Sequence, residues 1–312
     1  DLLGLKNLEI IRKCYEYAGL PYPKSHQINW NDKKVWNDIV LCPAGVFQFE
    51  SPYAYEMLKN YGPQCINDLS MINASLRPSG ASYRDRLLAG ETNKNPSPLI
   101  DELLKDNRGF LIFQEDVIAF LQKICGLSGS EADNVRRAIG RKQMGRLQKA
   151  LPSILKGYCK MSPQPQDVAE EEAKTFLKII EDSSNYMFGY NHSTGYSMIG
   201  YMCAFCRYYY PEEFIAAYLN CANNTDDILM GTELAKIKNI EIKNIKFRKS
   251  GAEYTVDKAN HALYKGIASI KFCNAQIADD LLELATNRYN NFTEVLADVN
   301  TKTSVNSRQL TI

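Results

Sequence analysis

Apolar residues fall at three- and four-residue steps through most of the chain and alternate only in short stretches. Leu5, Leu8, Ile11, Tyr15 and Ala18 line one face of a first helix, which Gly19 stops. Pro21 and Pro23 make a loop, and Asn31 or Asp32 caps a short helix carrying Val35, Trp36 and Ile39. Pro43 and Gly45 break that helix, and the alternation from Val46 to Ser51 predicts a short extended piece. Helices follow over about 55–61 and 66–74, then a loop over 77–98 set by Pro78, Gly80, Gly90, Pro96 and Pro98. Val117, Phe120, Leu121 and Ile124 predict an amphipathic helix over 114–127. Ser130, with Asp133 three residues on, caps the next, and Gly140 ends it. Further helices are read over about 167–180, 195–209 and 211–220.

After Asn224 the character changes. Residues 240–243, 254–256 and 262–264 are short and β-like, and helical stretches follow over about 275–285 and 293–299. A boundary is therefore placed near residue 225. The fold class this predicts is mainly α with some α+β character: a helical body followed by a small mixed segment. No internal repeat stands out.

Composition changes little. Of 312 residues, 45% are hydrophobic and 23% charged, as in an ordinary globular protein. No run approaches the ~20 apolar residues of a membrane span. Leu2, Leu3 and Leu5 give way at once to Lys6, Glu9, Arg12 and Lys13, so no signal peptide is read; a cytoplasmic chain without a membrane partner is expected. The nine cysteines are scattered. Cys203 and Cys206 form a Cys-x-x-Cys pair inside an apolar helical run, with no second pair to complete a zinc set, and read as reduced core thiols.

Charge distribution changes more. The formal net charge is +1, yet Arg136, Arg137, Arg141, Lys142, Arg146 and Lys149 lie together with no acid among them. Part of this could be end-capping of a helix, and part a solvated face. Six bases exceed what a cap needs, and arginine forks suit phosphate oxygens. Charge alone does not separate a nucleotide from a nucleic-acid backbone. A second segment, Phe188 to Ser197, leads a small polar loop holding Asn191, His192 and Ser193 into an apolar helix, whose N-terminal N–H groups suit anions; His192 could equally be structural. The third segment carries Arg77, Arg84 and Arg86, either a solvated loop or a clamp on a DNA backbone.

These segments, with Gly45-Val46-Phe47-Gln48-Phe49-Glu50-Ser51, Leu76-Arg77-Pro78, Phe113-Gln114-Glu115-Asp116-Val117, Val135 to Lys142 and Asn191-His192-Ser193 in register, resemble the C family of bacterial replicative DNA polymerases, the alpha subunit of DNA polymerase III. The resemblance covers nearly the whole chain. It implies the end of a palm domain at 1–20, a fingers domain at 21–225, and the start of a C-terminal helix-hairpin-helix, DNA-binding region at 226–312. It further implies a DNA-directed DNA polymerase parent, with the piece itself inactive alone. Asp1 would match a catalytic, metal-binding palm aspartate of a two-Mg²⁺ site otherwise supplied upstream. Arg136, Arg137, Arg141, Lys142, Asn191, His192 and Ser193 would bind the incoming dNTP. Arg77, Arg84, Arg86, Arg146 and Lys149 would touch the DNA template-primer. The palm and thumb, and a sliding clamp, are the implied protein partners.

Typical members carry a lysine near residues 191–192, and this chain is about two residues shorter there, as in phage-like members. Phe272-Cys273-Asn274 replaces the glycine-containing hairpin whose N–H groups would approach DNA phosphates. Two rivals to the polymerase reading stand: a non-enzymatic module binding nucleic acid through 136–149, and a remnant that has lost nucleotide binding.

Overall fold

The computed structural model describes residues 5–183 and 187–310. Asp1 therefore lies outside the described residues, and with it the metal-binding and catalytic roles read there. Helix dominates: α1 (Lys6–Tyr17), α2 (Lys33–Ile39), α3 (Pro52–Tyr61), α4 (Ile66–Ser75), α5 (Arg84–Leu88), α6 (Pro98–Leu103), α7 (Gln114–Ala119), α8 (Gly129–Gly140), α9 (Met144–Met161), α10 (Gln166–Ser183), α11 (Tyr190–Tyr209), α12 (Pro211–Asn220) and α13 (Thr225–Ile237). Strands β1 (Glu241–Lys243), β2 (Thr255–Asp257) and β3 (Ala262–Tyr264) follow, then α14 (Ala275–Glu283), α15 (Phe292–Lys302) and α16 (Ser307–Leu310). The mainly helical body with a small mixed segment is as the periodicity predicts. By compactness the chain forms two units, residues 51–200 in one, residues 1–50 with 201–312 in the other.

In the discontinuous unit, α1 packs on α12 through Ile10, Ile11 and Cys14, all fully buried. Trp36 lies against Tyr201, ring centroids 4.7 Å apart. The extended piece expected over 46–51 is instead a pair of turns. Gly45 and Gln48 both take positive φ, and the Val46 and Phe49 amides donate to Pro43 and Val46 carbonyls. Burial there falls on Val46 and Phe49, three residues apart, as the turns require and a strand would not. Gly45 has a second reason to be glycine, since a Cβ there would come within 2.4 Å of the Phe214 ring. The three-residue strands pair in the order β1-β3-β2, with β1 parallel and β2 antiparallel to β3. The change of character after Asn224 is delayed by α13, which Asn224 itself caps by accepting from the Asp227 amide at 2.8 Å.

Burial in this unit forces one ionic arrangement. Arg207 is fully buried, and its Nε donates to Asp38 Oδ2 at 2.7 Å while Nη1 donates to the Cys42 and Ala44 carbonyls at 2.8 and 2.9 Å. Lys238 bonds the other Asp38 oxygen. The guanidinium thus satisfies a buried carboxylate together with the carbonyls of Asp38, Cys42 and Ala44. Cys203 and Cys206 are also fully buried in α11, and burial pushes the Cys203 thiol well up.

In the continuous unit, Val117, Phe120, Ile154, Tyr158, Ala173 and Phe176 share one core. The helix expected over 114–127 is α7 running into a π-turn over Phe120–Ile124. Helix α9 forms despite an internal proline, Pro152. Its Gly157 lies so close to the preceding chain that a Cβ would fall 1.7 Å from the Cys125 carbonyl oxygen.

Removing Arg207 leaves Asp38 buried with only Lys238. Arg207→Ala is expected to cost about 3–5 kcal/mol or to prevent folding. Arg12→Ala, which breaks exposed pairs with Glu9 and Glu16, should cost under about 1 kcal/mol. Urea denaturation of both variants checks the contrast.

Candidate functional site

The basic segment starts from a cap different from the one expected. Helix α8 begins at Gly129, with Ser128 as N-cap and Glu131 closing the capping box. Ser130 and Asp133 do not form it. Asp133 is thereby left free to sit under the next turn, where its carboxylate takes Arg136 Nη2 and Arg137 Nε, each at 2.8 Å. The Arg136 hydrogen bond holds the Asp133 carboxyl below its ordinary pKa. The C-terminal end also differs from expectation. Gly140 is inside the last turn, and Lys142 takes the left-handed conformation while the Gln143 amide bonds back to Ala138. Arg141 and Lys142 stand exposed in that turn.

A short pairing gives the second part of the site. Phe113 and Phe188 form a parallel bridge, in which the Gln114 amide donates to the Phe188 carbonyl at 3.0 Å. The Gln114 side chain extends the link in both directions, donating to the Met187 carbonyl at 3.1 Å and accepting from Arg136 Nη1 at 3.0 Å. Glu115 accepts from the Tyr190 amide at 2.7 Å, the first residue of α11. Helix α11 starts five residues earlier than the periodicity suggests, so Asn191, His192 and Ser193 lie in its first turn and not in a loop before it. Glu115 also places an acid at the positive end of that helix. The helix terminus itself is therefore already occupied by a carboxylate.

Those side chains divide sharply. Asn191 and His192 are exposed. The His192 ring meets Phe188 edge-on at 5.2 Å and Tyr196 at 4.1 Å. Arg77 lies over the other partner of this stack, its guanidinium carbon 4.9 Å from the Phe188 ring centre. Ser193, by contrast, is fully buried, and its hydroxyl donates to the Ser70 carbonyl at 2.8 Å. It belongs to the α4–α11 packing and does not reach a ligand, a correction to its reading as a nucleotide contact.

The remaining cations are not gathered with these. Arg146 and Lys149 line a hollow of about 340 Å³ with Glu131, Asn134, Val135 and Ala138 of α8. Residues 134 and 138 are each two positions from Arg136, about 200° round the helix, so this hollow faces away from Arg136, while Arg137 stands between the two directions. Arg146 and Lys149 are thus not gathered with Arg136 despite their closeness in sequence. Arg84 and Arg86 are also spent internally. Arg84 braces its own loop through the Ser75 and Arg77 carbonyls at 2.6 and 2.9 Å, and Arg86 pairs with Glu91 and Asn93.

Beneath the Phe113 bridge, Asp116 accepts from the Ile112 and Phe113 amides at 3.1 and 2.7 Å and from the Asn107 amide group. Burial outweighs these bonds and raises its pKa from 3.8 to about 6. Among the described residues no group of three or more His, Cys, Asp or Glu is arranged to hold a metal ion. The described residues do not, then, build the two-Mg²⁺ site that the resemblance implies. Nor is any described helix long and apolar enough to cross a membrane.

Comparison with known proteins gives a consistent result. Residues 7–161 match the family of the bacterial DNA polymerase III alpha subunit finger domain. A DNA polymerase III subunit alpha of Borreliella burgdorferi is 28% identical over 97% of the chain, and one of Aquifex aeolicus is 30% identical over 97%. An error-prone DNA polymerase of Vibrio parahaemolyticus is 32% identical over 70% of the chain. The chain spans only about a quarter of the length of these relatives, 27%, 26% and 22%.

The raised Asp116 pKa carries a sign. Between about pH 4 and 6 the folded state keeps a proton that the unfolded chain releases, so this group's contribution to stability is greatest at low pH and is lost as pH rises through 6. With the side chain only partly out of solvent, the change should be of the order of 1–3 kcal/mol. The stability difference between the native chain and Asp116→Asn should fall from pH 4 to pH 6.5 and then level off, as measured by chemical denaturation across that range.

Proposed function

The chain belongs to the bacterial DNA polymerase III alpha-subunit family, and from that premise we propose that residues 51–200 hold the triphosphate of an incoming deoxynucleotide during template-directed addition to a primer 3′ end. One observation supports this reading above others. Arg136 and Arg137 share a carboxylate on one helix, and through Gln114 the first of them is tied to Met187 and Phe188, the second of which packs against His192. One arginine and an imidazole are thus linked through one short segment, with a second arginine beside the first on the shared carboxylate.

The chemistry asked of such a site is positioning and charge stabilisation. A triphosphate carries about four negative charges, spread over oxygens that arginine forks can take two at a time. Arg136 and Arg137 would supply the forks, with Arg141 and Lys142 adding charge from the following turn. His192 would donate to a phosphate oxygen, and Tyr196 or Phe188 would offer a ring to the base. Arg77 sits on the same Phe188 ring and fits a contact to the template strand or the nucleotide. Ser193, Arg84 and Arg86 take no part, being committed to the fold. The metal-ion chemistry of phosphoryl transfer would use Asp1 and palm residues of a longer chain; Mg²⁺ there would activate the 3′-hydroxyl and steady the leaving group.

Within this reading residues 1–20 close the palm, 21–225 form the fingers and 226–312 open the C-terminal DNA-binding region. Template-primer DNA, dNTP, palm, thumb and a sliding clamp are the corresponding partners. Arg146 and Lys149, whose hollow faces away from Arg136, are assigned to the DNA backbone and not to the nucleotide.

Two titrations of the 312-residue chain follow by NMR. Arg137→Ala should weaken dATP binding by about tenfold or more; unchanged affinity overturns the triphosphate assignment. Changing both Arg146 and Lys149 to Ala should leave dATP affinity as it is, and should reduce the slope of log DNA affinity against log salt by about 2. A change in dATP affinity without a change in slope would contradict the split between the two faces.

A further inference from the structure

Gln114 makes three bonds pointing to two places. Its backbone N–H and its side-chain Nε2 donate to the consecutive carbonyls of Phe188 and Met187, at 3.0 and 3.1 Å, while its Oε1 accepts from Arg136 Nη1 at 3.0 Å. Because Nε2 must face a carbonyl, Oε1 must face the guanidinium. Glutamine suits the place because its planar end carries one donor group and one acceptor, and it can bond a carbonyl on one side and a cation on the other.

The other edge of Arg136 is held as well. Nε and Nη2 donate to Asp133 Oδ1 at 3.0 and 2.8 Å. Two groups from different elements therefore define the plane of one guanidinium. An arginine has five N–H groups, and three here are committed to those bonds, which leaves the remaining ones aimed by the first three. Next to Gln114, Glu115 holds the Tyr190 amide, so that the residue pair 114–115 fixes the start of α11 and the orientation of Arg136 together.

We propose that Gln114 is a positioning residue for triphosphate capture: it sets the plane of Arg136 relative to the first turn of α11, so that the arginine fork and His192 meet one phosphate chain without rearranging. The proposal rests on the triphosphate reading above. It deepens that reading by assigning the alignment of the site to a residue that does not itself touch the nucleotide. Pre-alignment of this kind removes ordering cost at binding.

The test uses the whole chain and three variants: Gln114→Leu, Gln114→Glu and Arg137→Ala. Each is titrated with dATP and with dAMP, and the Arg136 Nε–H resonance and thermal midpoint are recorded. Gln114→Leu keeps the shape but removes both the donor and the acceptor. It should weaken dATP binding about tenfold, shift the Arg136 resonance and leave weak dAMP binding unaltered. Gln114→Glu keeps an acceptor for Arg136 but faces the Met187 carbonyl with an oxygen and adds a negative charge, so it should keep the Arg136 resonance near its native position and lose less dATP affinity than Gln114→Leu. The proposal is overturned if Gln114→Leu binds dATP like the native chain, or if Gln114→Glu falls as far as Gln114→Leu, which would mark a bracing role only. Should Gln114→Leu fail to fold, the Gln114→Glu affinity and its Arg136 resonance decide by the same criterion. Native dATP binding lost in Arg137→Ala but kept in Gln114→Leu defeats the positioning role alone. No dATP binding by the native chain defeats both.

Discussion

The bridge between Phe113 and Phe188 brings together two stretches 75 residues apart, and the geometry of the candidate site follows from it. Its single amide-to-carbonyl bond would be weak by itself. It is supported by the packing of Phe113 against the Tyr190 ring at 4.9 Å and by Phe113 lying in a buried cluster with Met71, Phe110 and Ile112. Once the bridge is closed, Gln114 and Glu115 have little choice of partner. One faces the carbonyl of Met187 and the guanidinium of Arg136, and the other meets the first free amide of α11. Register in one hydrogen bond is thereby converted into the placement of an arginine and a histidine.

Countercharge shapes the site as much as charge does. Asp133 under the two arginines and Glu115 at the head of α11 are acids in a region whose proposed ligand is an anion. Both make sense before a ligand arrives. Paired arginines repel each other, and a shared, part-buried carboxylate offsets that repulsion while holding Arg136 in place. Glu115 takes the helix terminus out of competition and leaves binding to groups whose direction is set by side-chain bonds. The arrangement differs from loops that cradle phosphate with backbone amides, and under the proposed function the phosphate contacts would come from Arg136, Arg137 and His192.

Much of the fold was legible in the sequence because its signals are local. Val117, Phe120, Leu121 and Ile124 announce a helix face, Pro211 opens α12, and the three β-like stretches after residue 240 do pair. Helix α9 was not read, because Pro152 and Gly157 argue locally against it. Burial of Ile154 and Tyr158 in the core with Phe120 and Phe176 outweighs that cost. The piece over 46–51 shows the opposite error: alternation of apolar and polar residues was read as an extended piece where two positive-φ residues make turns. At the candidate site, charge clustering pointed to α8 and the turn after it. It could not show that Arg146 and Lys149 face away, a matter of helical angle and of where α9 packs. Ser193 was a nucleotide contact by what the resemblance implied and is a buried packing residue, and only the tertiary position of Ser70 reveals it. Gln114 and Glu115 were visible as part of a family motif but had no legible role, since their partners are about 75 residues distant in sequence at Met187 and Tyr190.

The central claim is that a triphosphate is held where α8, the 113–116 turn and the head of α11 meet. Amide hydrogen exchange of the chain with and without dATP tests it most directly. The account predicts slower exchange at residues 112–116, 133–142 and 187–193 with dATP, little change with dAMP, and none at 275–302. Protection confined to the C-terminal residues beyond 240, or equal protection by dAMP and dATP, would contradict it.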